Sequence, residues 1–106
     1  MKEIVYHKFL DDYLHELLRF RIWIEKGKVV DLVVQYESFI SGKWYNIVRY
    51  DCSHGFFHRD LLFPKGIKEK QEISITSLED GLNYAEQDIK DRWVFYRERF
   101  INRLPK

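Results

Sequence analysis

The sequence predicts an α+β domain, with an antiparallel meander of four to five strands, a short N-terminal helix and a long amphipathic C-terminal helix packed on one sheet face. Two observations predict this class. Through the middle of the chain, hydrophobic and polar residues alternate with a period of two, which is typical of strands with one buried face. Toward the C-terminus, hydrophobic residues recur every three or four positions, as along one side of a helix. At 106 residues the chain has the size of a single domain, residues 1–106.

The first predicted element is a short amphipathic helix over residues 9–18. Hydrophobic residues fall at helical spacing there, and the acidic residues fall between them. Over residues 19–26 the period changes to two, which predicts a strand with Phe20 on one face and Trp23 on the other. Gly27 then allows a turn, so this strand leads into a hairpin.

The sequence after this turn predicts the rest of the sheet. A return strand begins at Val29 and keeps the alternation. Strands over residues 44–51 and 56–63 follow, each preceded by residues that favour turns. Residues 68–75 predict a polar edge strand, because its charges discourage pairing with the edge of another molecule.

The last predicted element is a helix that begins after Ser77, with Asp80 at the acidic position of a capping box. Its second half is hydrophobic beyond one stripe, because Val94, Phe95, Ile101 and Leu104 lie away from the main face. This surplus fits either a deeper core or a surface for a partner or a second copy. A homodimer or a partner complex would then form through Trp93, Phe95, Phe100 and Ile101.

Composition restricts the possible functions. A formal net charge of +1 excludes an overall basic field, so binding to nucleic acid must depend on a local patch. Cys52 is the only cysteine, which excludes an internal disulfide and favours a reducing cytoplasm as the compartment. No segment approaches the roughly 20 apolar residues of a membrane span, so no membrane partner is expected. The chain also lacks a glycine-rich phosphate loop, a serine nucleophile elbow and a CxxC pair, and no cofactor is expected.

The candidate chemistry is concentrated in residues 49–60, which hold two of the four histidines. On the strand assignment this stretch is a hairpin tip with its two arms, so antiparallel pairing would bring Asp51 close to His58. Whether the side chains of this stretch lie close together depends on the register of the hairpin, because a shift of one residue sends a side chain to the opposite face of the sheet. Arg19, Arg21 and Lys43 could extend a positive face, but alternating charges are ordinary on a solvated sheet. The arginines, aspartates and histidines of the stretch are Arg49, Asp51, His54, His58, Arg59 and Asp60.

Three interpretations of this stretch remain open. One is a metal site, because Asp51, His54, His58 and Asp60 are all ligand types for divalent ions. A second, purely structural, is that the aspartate accepts hydrogen bonds from the turn, the histidines are solvated and the arginines pair with acids.

The third interpretation is metal-independent acid/base cleavage of a phosphodiester. In it His54 and His58 move protons, Asp51 orients one of them, and Arg49 and Arg59 bind the phosphate. RNA is the polymer that suits this chemistry, because its own 2′-OH serves as nucleophile.

The order of elements, together with Val48-Arg49-Tyr50-Asp51 followed by His54 and His58, resembles the TumE-like small prokaryotic proteins. It is also similar to short archaeal proteins with a Tyr-Asp-x-x-His-Gly-x-x-His core. The TumE-like pattern usually has a doubled histidine after the Tyr-Asp element and another pair after a proline, and this chain has neither. The resemblance implies the toxin of a toxin–antitoxin pair, a ribonuclease-like protein held in check by an antitoxin protein. The residues that match are Arg49, Tyr50, Asp51, His54 and His58.

Two functions are therefore expected. The first is a toxin-like protein that cleaves RNA by metal-independent acid/base catalysis. The alternative is a non-catalytic interaction module that dimerises or docks a partner through its C-terminal helix.

Overall fold

The structure, a computed structural model, describes residues 1–105 without the side chain of His54. It contains a six-stranded antiparallel sheet in which each strand pairs with the next along the chain, followed by one long helix. The strands are β1 (Lys2–Phe9), β2 (Glu16–Glu25), β3 (Lys28–Ile40), β4 (Lys43–Asp51), β5 (His58–Leu62) and β6 (Lys68–Glu72), and the helix is α1 (Leu78–Ile101).

The predicted α+β class, the antiparallel meander and the long C-terminal helix are confirmed. The sheet has six strands instead of four to five, because the chain begins with a strand that pairs with β2. The helix begins as predicted, since Ser77 Oγ accepts a hydrogen bond from the backbone N–H of Asp80 at 3.1 Å.

The predicted N-terminal helix over residues 9–18 is wrong. β1 ends and β2 begins within this range, and a turn joins them. Asp11 Oδ1 accepts hydrogen bonds from two backbone N–H groups later in the turn, at 3.1 and 3.0 Å. Leu14 has a left-handed φ of 61°, which ends any helical repeat. The helical spacing arose because Tyr13 and Leu14, exposed turn residues, fall in line with buried strand residues.

One face of the sheet packs against α1 and forms the core. The buried hydrophobic positions of β2 and β3 are all even-numbered, as strand alternation requires. In β4 a shift in register interrupts the alternation, and the consecutive residues Ile47 and Val48 are both buried. The core side chains of these strands include Leu18, Phe20, Ile22, Leu32, Val34, Tyr36, Val48 and Tyr50, and α1 contributes Ala85, Ile89, Tyr96 and Phe100.

The opposite face of the sheet, here called the open face, carries the odd-numbered side chains of β2 and β3 and is not covered by α1. Half-exposed arginines of β2 and β4 lie on it. Within residues 1–105, no helix is long and apolar enough to cross a membrane.

Candidate functional site

The β4–β5 hairpin brings Asp51 directly opposite His58, which confirms the pairing expected from the sequence. His58 Nε2 lies 2.8 Å from Asp51 Oδ1 and 3.6 Å from Asp60 Oδ2. His58, Asp51 and Asp60 are 1%, 8% and 6% exposed. These three residues, here called the buried cluster, therefore place one imidazole and two carboxylates in a site almost without solvent contact.

Asp51 holds the loop between β4 and β5 against the buried cluster through two hydrogen bonds. Its Oδ1 accepts hydrogen bonds from the backbone N–H of Ser53 at 3.1 Å and from Ser53 Oγ at 2.9 Å. Gly55 closes the turn with φ +84°, a left-handed conformation that a glycine adopts without steric cost. The same carboxylate thus orders the loop and contacts His58.

The ring of His58 is oriented from both sides. Nδ1 lies 3.2 Å from the backbone carbonyl oxygen of Phe56, and a carbonyl can only accept, so Nδ1 carries a proton and donates it. Nε2 faces the carboxylates of Asp51 and Asp60. Because both ring nitrogens are engaged, His58 as placed has no nitrogen free to exchange a proton with a substrate.

The charges of the buried cluster are only partly paired. Arg49 Nε lies 3.2 Å from Asp51 Oδ2, so one carboxylate contacts both a guanidinium group and the imidazole. Asp60 Oδ1 is buried and has no hydrogen-bond partner among the described residues. An acceptor left in this state is costly, since a buried polar atom normally retains at least one partner.

Next to the buried cluster, the open face forms a groove of about 530 Å³, here called the arginine groove. Strand register explains it, because Arg19 and Arg49 both lie opposite Gln35 from neighbouring strands, and Arg21 lies opposite Val33. Its lining includes Arg19, Arg21, Trp23, Val33, Gln35 and Arg49.

Each arginine of the groove is held by a carboxylate while it remains about half exposed. Arg21 also lies over the ring of Trp23, with 5.4 Å between the guanidinium carbon and the ring centroid. A guanidinium group has five N–H donors, so a single ion pair leaves most of them available to a ligand. The ion pairs are Arg19–Glu37 at 3.3 Å, Arg21–Glu3 at 2.8 Å and Arg49–Asp51 at 3.2 Å.

Arg59, which the sequence placed with the phosphate-binding residues, does not join them. Its Nη1 donates to Tyr96 Oη at 3.0 Å, on the helix side of the sheet. Tyr50 and Tyr96 donate to Asp88 Oδ2 at 2.6 and 2.7 Å. Burial, and then the hydrogen bond to this aspartate, raises the pKa of both tyrosines. Arg59 thus belongs to a polar network that fastens α1 to the sheet.

The side chain of His54 lies outside the described residues. Its backbone belongs to the short 3₁₀ turn Ser53–Gly55, between Asp51 and the start of β5. Its proposed part in proton transfer or metal binding stays a prediction.

The four helix residues expected at a partner interface do not form one exposed surface. Phe100 is 3% exposed and lies in the core, whereas Phe95 is 44% exposed. Trp93 packs edge-on against Tyr36 of the sheet, with 6.3 Å between ring centroids, and Ile101 is partly buried against the core. The surplus hydrophobic residues of α1 therefore mainly deepen the core.

The sequence interpretation missed Arg19, Arg21 and Trp23 as groove residues and assigned the two arginines to a solvated face. Their common face was visible in the alternation of β2. The sequence did not show that these residues lie close to Arg49, because this requires the register of β2, β3 and β4 together.

Comparison with protein-family models assigns the chain to a family. A family model described as a domain of unknown function, DUF7718, matches residues 1–105. Neither the comparison with curated proteins nor the comparison with solved structures gives a match.

Proposed function

Because the chain belongs to the DUF7718 family, whose function is unknown, we propose from its own geometry that it is an RNA-acting protein that binds a single strand in the arginine groove. The observation that carries this proposal is the convergence of Arg19, Arg21 and Arg49 beside Trp23 in one groove. Guanidinium groups bind phosphate oxygens in pairs, and an indole ring stacks on an unpaired base.

A single strand fits this groove better than a duplex. Stacking on Trp23 needs a base that is free of its partner, and sequence-specific proteins find such bases in loops and single strands of RNA. Groove binding also agrees with the formal net charge of +1, because the positive charge is gathered locally.

The proposed reaction is cleavage of RNA by its own 2′-OH. The 2′ oxygen attacks the adjacent phosphorus, a base accepts the 2′ proton, and the 5′ oxygen leaves and takes a proton from water. His54 is the proposed base, since both ring nitrogens of His58 are engaged. Asp51 and His58 are then positioning residues, which hold Arg49 at the groove and order the loop that carries His54.

In the toxin–antitoxin setting that the resemblance implies, such cleavage would stop growth. An antitoxin protein would inhibit it most directly by covering the arginine groove. Since the groove presents three guanidinium groups, the covering segment is expected to be acidic.

RNA binding is tested by fluorescence anisotropy with a labelled single-stranded RNA at several salt concentrations. Three phosphate contacts predict that the logarithm of the binding constant falls with the logarithm of salt concentration with a slope of about −2. Arg19→Gln and Arg21→Gln should each weaken binding and reduce this slope by about 0.7.

The matched control is Arg92→Gln, which removes the same charge from α1, on the other side of the sheet. Its binding constant and slope should equal those of the wild type. Equal losses in all three variants would show that only overall charge matters, and the groove assignment would be discarded.

Cleavage is tested separately by expressing the wild type, His54→Ala and His58→Ala and following growth and cellular RNA. The wild type should arrest growth and degrade RNA, and His54→Ala should do neither while it still binds RNA. Normal growth with intact RNA in all three strains would reject cleavage and leave RNA binding to be judged by anisotropy.

A further inference from the structure

We propose that Asp51, His58 and Asp60 bind a divalent first-row transition-metal ion of the Zn²⁺ class. One ligand atom from each residue lies within 4.8 Å of the other two, in a buried site. This proposal goes beyond RNA binding and is independent of it, because it rests on the buried cluster alone.

The orientation of His58 is the first support. A metal-binding histidine usually donates its other ring N–H to a carbonyl or carboxylate, which fixes the tautomer and directs the free lone pair at the ion. Here Nδ1 donates to the carbonyl oxygen of Phe56 at 3.2 Å. In the neutral ring, Nε2 then directs its lone pair toward Asp51 and Asp60.

The second, independent support is Asp60. Its side chain is 8% exposed, and its Oδ1 has no hydrogen-bond partner among the described residues. Leaving a buried carboxylate oxygen unpaired costs free energy that a bound cation would offset. Arg49 lies opposite Asp60 in the sheet, yet its guanidinium group forms an ion pair with Asp51.

The ligand set selects the kind of ion. Mg²⁺ and Ca²⁺ are bound by oxygen atoms, whereas a site with an imidazole and two carboxylates suits Zn²⁺, Mn²⁺ or Co²⁺. Two ligands at about 2.1 Å from one ion are separated by roughly 3–4 Å. The separation of 3.6 Å from His58 Nε2 to Asp60 Oδ2 lies in this range. The separation of 2.8 Å from His58 Nε2 to Asp51 Oδ1 is shorter, so these two side chains would move slightly apart to admit the ion.

Such an ion would join the end of β4 to the start of β5, with two ligands on one strand and one on the other. Asp51 is already held by Ser53 and Arg49, so this ligand would be ordered before the ion binds. Three protein ligands leave at least one further coordination position for water.

Calorimetric titration of chelator-treated protein with Zn²⁺ tests the site, and the visible absorption of bound Co²⁺ gives an independent readout. The wild type should bind one ion, and its thermal midpoint should rise with Zn²⁺ concentration. Asp60→Asn, which keeps the side-chain shape, should weaken binding at least about 10-fold. His58→Gln should do the same, and the circular dichroism of both variants shows whether they are folded.

Glu72→Gln is the matched control, since Glu72 is an exposed acid on β6 directly opposite His58. It should bind Zn²⁺ as the wild type does. The proposal is overturned if the folded wild type binds no Zn²⁺. It is also overturned if Asp60→Asn binds Zn²⁺ as tightly as the wild type does, or if Glu72→Gln loses as much Zn²⁺ affinity as Asp60→Asn. None of these readouts involves RNA, so they do not bear on the groove.

Discussion

At the scale of single residues, strand alternation places neighbouring ionisable residues on opposite faces of the sheet. His58 and Arg59 are neighbours, yet His58 points to the open face and Arg59 to the helix side. Successive side chains of a strand alternate between faces, so these two could not share one cluster once they were assigned to a strand. The alternation that predicted the strands was therefore also sufficient to separate Arg59 from His58, whereas its separation from Arg49 follows from the register of β4 and β5.

Cys52 shows how burial removes reactivity from a nucleophile. Burial, followed by the nearby charges of Asp31 and Asp51, raises the pKa of its thiol to about 11. Only the thiolate reacts with alkylating reagents. The thiol of Cys52, next to Asp51 in the chain, is therefore expected to react slowly in the folded protein.

We predict that Cys52 in the folded protein reacts with iodoacetamide at pH 8 about 100-fold more slowly than a free cysteine, because a pKa of about 11 in place of the ordinary 9.0 reduces the thiolate fraction by about that factor. The rate should keep rising with pH up to about 11. Protein unfolded in urea is the control and should react at the rate of the free amino acid. A folded-state rate that levels off near pH 9 would contradict the raised pKa.

At the scale of elements, polar networks fix the position of α1 on the sheet. Asp88 accepts hydrogen bonds from Tyr50 of β4 and Tyr96 of α1, and Arg59 of β5 lies 3.7 Å away. Nearer β2, Glu16 accepts from Tyr36 at 2.6 Å and contacts Arg97 at 3.4 Å. Two carboxylates thus connect the helix to four strands.

We predict that Asp88→Ala lowers the free energy of unfolding by about 2–4 kcal/mol, because it leaves two buried tyrosine hydroxyls without their acceptor and Arg59 without its nearest carboxylate. Urea denaturation followed by circular dichroism measures the loss. Asp91→Ala removes the same charge from an exposed position of the same helix and should change stability by less than about 0.5 kcal/mol. Similar losses in the two variants would mean that the network contributes no more than a surface charge.

The elements also show which parts of the fold the sequence can predict. The strands after residue 19 and the cap at Ser77 follow from local patterns, since alternation and capping depend on neighbouring residues. The structure of the N-terminal region does not follow from local patterns, because Leu17 and Leu18 fit a helical spacing and also lie in strand β2. The turn made by Asp11 and Leu14 decides between the two, and it offers no glycine or proline as a signal.

At the scale of the whole molecule, the sheet divides the protein into two sides with different roles. One side is closed by α1 and holds the hydrophobic core with its tyrosine networks. The other side is open and gathers the arginine groove and the buried cluster. The Asp51–His58 pair of that site could be predicted from a single hairpin, whereas the groove depends on the register of β2, β3 and β4 together.

The closed side makes the stability of the whole protein sensitive to alkaline pH. Desolvation by burial, and then hydrogen bonds to Glu16 or Asp88, raises the pKa of Tyr36, Tyr50 and Tyr96 well above the ordinary value of 10.0. A group whose pKa is higher in the folded than in the unfolded state contributes its full stability below the unfolded pKa. That contribution is lost as the pH rises from the unfolded-state pKa through the folded-state pKa, because the unfolded chain releases its protons first.

We therefore predict that the contribution of these three tyrosines to the free energy of unfolding is constant through neutral pH and falls above about pH 10, by about 4 kcal/mol per pH unit once all three titrate only in the unfolded chain. Urea denaturation at a series of pH values measures the slope, and ultraviolet absorbance follows tyrosinate formation. Tyr36→Phe should make the slope shallower by about 1.4 kcal/mol per pH unit. Tyr13→Phe, at an exposed turn, should leave it unchanged. Ionisation of all seven tyrosines near pH 10 in a chain that remains folded would contradict the burial of these hydroxyls behind α1.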